Sequence, residues 1–417
     1  MSSAPPGPPG SEAEYRALSG RDLWLLTLAC AVVTANAYYI HPIIALVADD
    51  FGVSASEIGL VPALNQIALA LGIFLLLPLG DRFSNRTLAT IFAAGQFIGM
   101  AAMAFATDFR IFVAGSTFLG FSTITPYLLP AYASKRVSLA RLGHTTATLT
   151  TGVISGILVA RVGGGWLGEH YGWRSVYYVA TALMAAVTLL LPRIMDARQT
   201  RGGAGERQGY VSLILSLFPV VRRHPEVVLS GMMQGLAFGI FLAVWLGLGL
   251  YLTSPEMGYG ADVVGYLAAL GLINMFTTPI LGQWADRIGP RRLRAIVALV
   301  QFTGVCLLGV AGHNVWTLLV PLMLMNVVGP LIDVTGRMTF LNQPPDVRTR
   351  LMTAYIILMF IGGGLGSWLG TSVYEIWGWP GTASMALGMS AALLALAVIA
   401  TRLDPKRGST HRETNDG

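Results

Sequence analysis

Twelve separate runs of about twenty apolar residues dominate this chain, at residues 23–48, 57–79, 87–107, 110–134, 143–168, 174–193, 226–252, 262–283, 293–312, 315–340, 350–374 and 380–401. A helix needs about 20 such residues to cross the hydrocarbon core of a bilayer. Composition points the same way. Of 417 residues, 54% are hydrophobic and 12% charged, against about 25% charged in a soluble domain. So few charges cannot cover a water-facing surface. The pattern predicts an all-α integral membrane protein with twelve transmembrane helices.

The basic residues orient it. One set of connections carries Arg82 and Arg86, then Lys135, Arg136 and Arg141, then Arg193, Arg198, Arg201, Arg207, Arg222 and Arg223. The same set continues with Arg287, Arg291, Arg292 and Arg294, then Arg348 and Arg350, then Arg402, Lys406 and Arg407. The alternate connections hold only Arg110 and Arg174, beside acids that include Asp49, Asp50, Glu57, Glu169 and Glu375. Loops rich in Lys and Arg stay in the cytoplasm, so both termini are expected there, in a multi-pass protein of the cell (inner) membrane. The net charge of +6 is thereby a topology signal, and no nucleic-acid partner is expected. Ala35-Asn36-Ala37 resembles a signal-peptidase site, but no basic residue precedes Arg16 and the apolar run continues past it. We expect no cleavage there.

Several chemistries find no support. Cys30 and Cys306 lie in different apolar runs, and six scattered histidines form no ligand motif. No metal site or cofactor is expected. There is no nucleophile elbow or phosphate loop, so the chain does not read as an enzyme.

An internal repeat divides the chain. Gly80-Asp81-Arg82-Phe83-Ser84-Asn85-Arg86 follows the second run, and Gly282-Gln283-Trp284-Ala285-Asp286-Arg287-Ile288-Gly289-Pro290-Arg291-Arg292 follows the eighth; the two aspartates are 205 positions apart. Gly172-Trp173 opens the sixth run and Gly378-Trp379 the twelfth, 206 positions apart. Glycine clusters precede both. The organisation expected is a disordered cytoplasmic tail (1–21), a six-helix half (22–193), a cytoplasmic linker with a possible interfacial helix (194–225), a second six-helix half (226–402) and a short tail (403–417). Two six-helix halves in parallel are a transporter architecture, with the substrate near the midplane between them.

The two stretches resemble the Gly-x-(Leu/Trp)-Ala-Asp-Arg-x-Gly-basic-basic signature of the major facilitator superfamily; the second matches nearly throughout, and the first keeps Asp81, Arg82 and Arg86 but has Leu77 and Ser84 where the family prefers glycine. Asn36-Ala37-Tyr38-Tyr39-Ile40-His41-Pro42, Gly156-Ile157-Leu158-Val159-Ala160-Arg161 and Gly362-Gly363-Gly364-Leu365-Gly366-Ser367 resemble its bacterial branch near drug/proton and sugar-efflux antiporters. The resemblance implies the major facilitator fold and alternating access by rocking of two pseudo-symmetric halves. It implies cytoplasmic gates at Asp81, Arg82 and Arg86 and at Asp286, Arg287 and Arg291. A carboxylate near a helix N-terminus and an arginine cluster suits that role. Relatives that couple drug export to protons carry an arginine where Ser116 stands, which puts that mechanism in doubt.

Three ionisable residues inside apolar runs, Arg161, Asp333 and His41, invite a functional reading. Arg161 sits mid-run in the fifth, where a charge costs roughly 2.5–3.5 kcal/mol, so it must face the interior. It could anchor an anionic substrate group, pair with a protonatable acid, or form a fixed structural pair. Asp333 could carry a coupling proton, but Arg337 four residues on suits an ion pair. His41 is the other proton candidate, because imidazole ordinarily titrates near 6.5. At 100° per residue, Asn36 and Tyr39 share one face of the first helix and Tyr38 and His41 roughly the opposite one; only one set can face a cavity well. Gln66, Thr125, Tyr127, Gln234 and Asn326 are further lining candidates. Phe238, Phe241 and Trp245 form an aromatic stripe, a pattern more often used for packing than for binding. Gly156, Gly164, Gly363 and Gly366 are read as close-packing positions.

The expectation is a secondary active transporter, proton-coupled and exporting a small organic compound. The alternative is an importer or antiporter of an organic anion anchored by Arg161. A non-transporting sensor is more distant. Partners expected are the substrate, protons and the bilayer, with the protein a monomer.

Overall fold

The computed structural model describes residues 17–196, 210–310, 312 and 314–402. Eleven continuous helical segments are long and apolar enough to cross a membrane: Gly20–Phe51, Ala55–Gly80, Asn85–Ala104, Phe109–Ser134, Ala140–Tyr171, Trp173–Ile194, Pro225–Leu252, Ala261–Ile288, Pro290–Val310, Val315–Met338 and Val347–Arg402. The last is two helices in one. Gly378, at φ 62° and ψ −154°, breaks it. Among the described residues the protein is therefore all-α with twelve spans, six before the linker and six after. Residues 1–16 of the first expected tail, the last tail (403–417) and residues 197–209 of the linker lie outside the described residues. The linker's described part forms two short helices, Tyr210–Leu215 and Leu217–Arg223. The Tyr210 hydroxyl donates to the Leu75 carbonyl, which ties the linker to the second span. We call the end of the bundle carrying the linker the linker end, and the opposite end the distal end.

The Gly-Trp repeat has a structural cause. Gly172 (φ 80°) and Gly378 (φ 62°) turn the chain between consecutive spans within one residue. A positive φ is cheap only without a Cβ. The tryptophan that follows then plugs its own half. Trp173 packs edge-on against Phe112, and Trp379 stacks on Tyr251 at 5.2 Å with 7° between the planes.

Not every span is a straight helix. The first breaks at residues 36–39, between Gly20–Ala35 and Ile40–Phe51. The fourth breaks between Ser122 and Thr125. Each break lies just ahead of a proline, Pro42 and Pro126, whose ring clashes with the carbonyl four residues back and which has no N–H to offer. The eighth passes through a 3₁₀ stretch at Ala269–Ile273.

The four close-packing glycines act within the halves. A Cβ on Gly156 would meet Ala31 of the first span, and one on Gly164 would touch the Tyr39 ring. In the second half, Gly363 faces Phe238, and a Cβ on Gly366 would lie 2.4 Å from the Cα of Gly239. Other glycines close the seam between the halves. Gly59 meets Thr371, Gly364 meets Ala63, Gly165 meets Ala261, Gly265 meets Arg161, and Gly249 meets His41, in each case on the backbone or a side-chain atom of the opposite half. These crossings join the second span to the eleventh, the fifth to the eighth and the first to the seventh. They hold the distal half of the seam closed.

The linker half differs. The segment Asn274–Ile288 of the eighth span buries only Ala285, so the fifth and eighth spans part there. A cavity of about 470 Å³ opens at this end, lined by Phe74, Leu77 and Tyr127 from the first half, Leu217 from the linker, and Thr349 and Thr353 from the second half. Beside it an apolar seam persists, with Leu69 and Ile73 in one cluster with Tyr355 and Phe360.

Substituting Gly366→Val should destabilise the protein by about 1–3 kcal/mol, the usual cost of overpacking. Thermal unfolding in detergent should show it as a lowered midpoint. An unchanged midpoint would mean that the seventh and eleventh spans can separate at no cost.

Candidate functional site

The break in the first span sets up the site. Pro42 leaves the Tyr38 carbonyl without its helical donor. The chain tightens in response: the His41 N–H donates to that carbonyl at 3.3 Å, and the Tyr38 N–H donates to Ala35 at 2.9 Å. The turn aims Tyr38 and His41 at the second half. Their rings meet edge to face at 5.2 Å, and His41 lies 6.4 Å from the Phe241 ring of the seventh span. His41 is buried, and neither ring nitrogen has a hydrogen-bond partner.

Arg161 completes the cluster. It is 5% exposed. Its guanidinium carbon sits 3.6 Å from the centre of the Trp245 ring and 5.4 Å from that of Phe241. It forms no ion pair or hydrogen bond among the described residues, and its Nη2 is buried without a partner. A cation over an aromatic face gains about 0.5–2 kcal/mol. That is too little to offset taking a charge out of water, which costs several kcal/mol even after relaxation. The arrangement is one cation and one imidazole with unfilled hydrogen-bonding capacity, walled by aromatic rings. The cation comes from one half and the aromatic wall from the other.

The aromatic stripe of the seventh span is thus turned toward the seam. Phe238 and Phe241 stack at 6.1 Å, and Phe241 leads on to Trp245 at 6.4 Å. The stripe's periodicity alone favours packing; its placement against Arg161 is legible only once the halves are assembled.

The remaining candidates are dispersed. Asn36 faces its own half and donates to Gln96 at 2.9 Å. Tyr39 packs against Gly164. Gln66 and Gln234 are buried with an unpartnered Oε1 each. Thr125 is buried on the fourth span and donates to Ala89 at 3.4 Å. Tyr127 borders the linker-end cavity and lies within electrostatic range of Asp333 and Arg337. Asn326 donates to Leu322 of its own helix. Asp333 accepts from Arg337 Nε at 2.7 Å, and the Tyr355 hydroxyl donates to the Asp333 carbonyl at 3.2 Å. Ser116 accepts from Asn65 through its carbonyl at 2.7 Å.

At the linker end, Asp81 closes the 3₁₀ turn Leu77–Asp81 and Arg86 lies in the first turn of the third span. Arg82 is exposed. Asp286 and Arg287 are exposed in the last turn of the eighth span and form no ion pair among the described residues. Arg291 begins the ninth span. Two buried arginines, Arg136 and Arg294, escaped the sequence reading. Arg294 is 1% exposed and donates to Ser230 Oγ of the seventh span at 3.0 Å. In the sequence it is one more member of the basic run Arg291, Arg292 and Arg294, and nothing there separates a buried arginine from a topology signal.

Two six-span halves with an enclosed polar cluster on the seam between them define a multi-pass membrane transporter. Comparison with known proteins narrows this to a family. The family profile described as Major Facilitator Superfamily matches residues 26–331 and again 267–416. The chain belongs to that superfamily. It is 29% identical over 422 residues to the probable transporter SCO4007 of Streptomyces coelicolor, covering 97% of this chain and 95% of that one. It is 26% identical over 300 residues to the multidrug resistance protein MdtG of Serratia proteamaculans, covering 67% and 69%. Among solved structures, a mutant form of the nucleoside transporter NupG superposes with a TM-score of 0.74 at 13% identity, over 91% of this chain and 99% of that one. This last likeness shows the fold alone.

The Arg161–Trp245 stack should appear as a thermodynamic coupling. In a double-mutant cycle of Arg161→Ala and Trp245→Ala on the ligand-free protein, denaturation should give a coupling of about 0.5–2 kcal/mol. Additive effects would mean that the two side chains do not meet.

Proposed function

We propose that the protein is a secondary active transporter working by alternating access, that it binds a small organic anion between Tyr38, His41, Arg161, Phe241 and Trp245, and that it exports this compound. The observation carrying the substrate class is Arg161, a buried guanidinium on the seam with no carboxylate partner among the described residues. An anion supplies the missing charge and hydrogen bonds. An aromatic or otherwise apolar body on that anion suits the walls formed by Phe241 and Trp245. Export is supported by the similarity to MdtG, named as a multidrug resistance protein. The positive-inside pattern makes the linker end cytoplasmic, so the cavity there is the loading side and the distal end faces out.

Proton coupling is assigned to His41. Asp333 is less suited, because its carboxylate is already engaged by Arg337 Nε at 2.7 Å on its own helix. His41 has two buried nitrogens free to exchange a proton with a bound ligand or with entering water. The linker-end residues Asp81, Arg82 and Arg86, with Asp286, Arg287 and Arg291, serve as gates that engage when this end closes. The exposed Asp286 then has a partner to find.

Two measurements test the reading. In a thermal-shift screen of drugs, sugars and organic anions, anions should stabilise the parent, and Arg161→Ala should weaken their binding roughly tenfold to a hundredfold, the loss expected for a hydrogen bond to a charged group. Equal stabilisation of both proteins would remove the anchor. In proteoliposomes, transport of the selected anion should respond to a pH gradient in the parent and lose that response in His41→Ala. Transport indifferent to the gradient in the parent would end the proton assignment.

A further inference from the structure

The closed distal end carries two contacts that mirror each other across the repeat. Glu169, at the end of the fifth span, accepts the backbone N–H of Ala261 at 2.7 Å. Ala261 is the first residue of the eighth span, in the other half. Glu375, near the end of the eleventh span, accepts the backbone N–H of Ser56 at 2.7 Å. Ser56 is the second residue of the second span, again in the other half. The two glutamates are 206 positions apart and the two amides 205, the same offsets as the other repeats.

Each contact has local support. Gly260 precedes Ala261, and a Cβ there would come within 2.7 Å of the Glu169 carboxyl carbon. The missing side chain makes room for the carboxylate. On the other side, the hydroxyls of Ser54 and Ser56 stand within hydrogen-bonding reach of Glu375. The chemistry is favourable at both. A helix N-terminus presents unpaired N–H groups and a partial positive charge, and a carboxylate satisfies both. Within one helix such a residue is a cap. Here the cap is supplied by the opposite half, so it can form only while the halves touch.

We propose that Glu169 and Glu375 form a reciprocal pair of distal latches, each capping a helix of the other half, and that together they bias the transporter toward its distal-closed state. The proposal rests on the alternating-access reading above, but its test does not depend on substrate. Both carboxylates are exposed, so water screens each contact. Each latch should shift the equilibrium roughly two- to fivefold, the effect of a charge at an exposed helix terminus.

The test is a distance measurement across the distal end of the full chain in nanodiscs. In a background with Cys30→Ala and Cys306→Ala, spin labels go onto Phe105→Cys and Pro255→Cys, exposed distal positions in the first and second halves. Double electron–electron resonance then reads the distance distribution. Glu169→Ala with Glu375→Ala should move population to longer distances, by roughly the product of the two single effects. Glu169→Gln and Glu375→Gln, which keep an acceptor but lose the charge, should move it partway. Asp50→Ala is the control. It breaks the 2.7 Å Asp50–Arg174 pair at the same end, but both partners belong to the first half, so the distribution should stay put. An unchanged distribution in the double variant overturns the latch, as does an equal shift from Asp50→Ala. Failure of the uptake assay, with the distances moving as stated, would overturn the transport reading and leave the latch standing.

Discussion

A backbone amide inside a bilayer has no water to turn to, so its hydrogen bond must come from protein. The rest of this structure follows from that constraint. Regular helices satisfy it by themselves, and where a span stops being regular another group must step in. In the first span the His41 N–H takes the carbonyl that Pro42 strands. In the fourth, the Ile124 N–H takes the Ser122 carbonyl that Pro126 strands. In the eighth, the 3₁₀ stretch substitutes shorter-range bonds. The break in the first span lies on the seam between halves, and there it turns polar and aromatic side chains inward.

Helix contact is the second requirement. Between helices in lipid the hydrophobic effect gives little, and close packing of small residues replaces it. Here glycines serve two layers of contact with different duties. Gly156, Gly164, Gly363 and Gly366 bind helices inside a half. Gly59, Gly165, Gly249, Gly265 and Gly364 bring one half against the other at the distal end.

Much of this was legible in the sequence, and the reasons are physical. Bilayer thickness fixes span length, so twelve spans could be read from apolar runs. The offsets of 205 and 206 residues exposed the two halves, the second because the Gly-Trp turns need those residue types. Arg161 stood out because a charge in an apolar run has few places to go, and the Asp333–Arg337 pair followed from helix spacing. Other features depend on the assembled halves. The helical wheel pairs Tyr38 with His41, as found, but which pair faces the seam is decided only by the packing of the halves. Trp245 gains its meaning from Arg161, 84 positions away. Glu169 and Glu375 looked like ordinary loop acids, because the helix ends that they cap lie in the opposite half. Arg294 was hidden inside a run of its own kind.

The stack of Arg161 on Trp245 has a consequence beyond the affinity of a closed site. The guanidinium rides on the fifth span and the indole on the seventh, so no relative movement of the halves leaves their contact unchanged. As the ring slides away, water takes its place, and the local dielectric around the cation rises. A charge that holds an anion firmly under an aromatic cover holds it loosely once hydrated. On the proposed reading, release would need no competing group to push the anion off: a motion that separates the halves would also dilute the electric field that keeps the cargo in place.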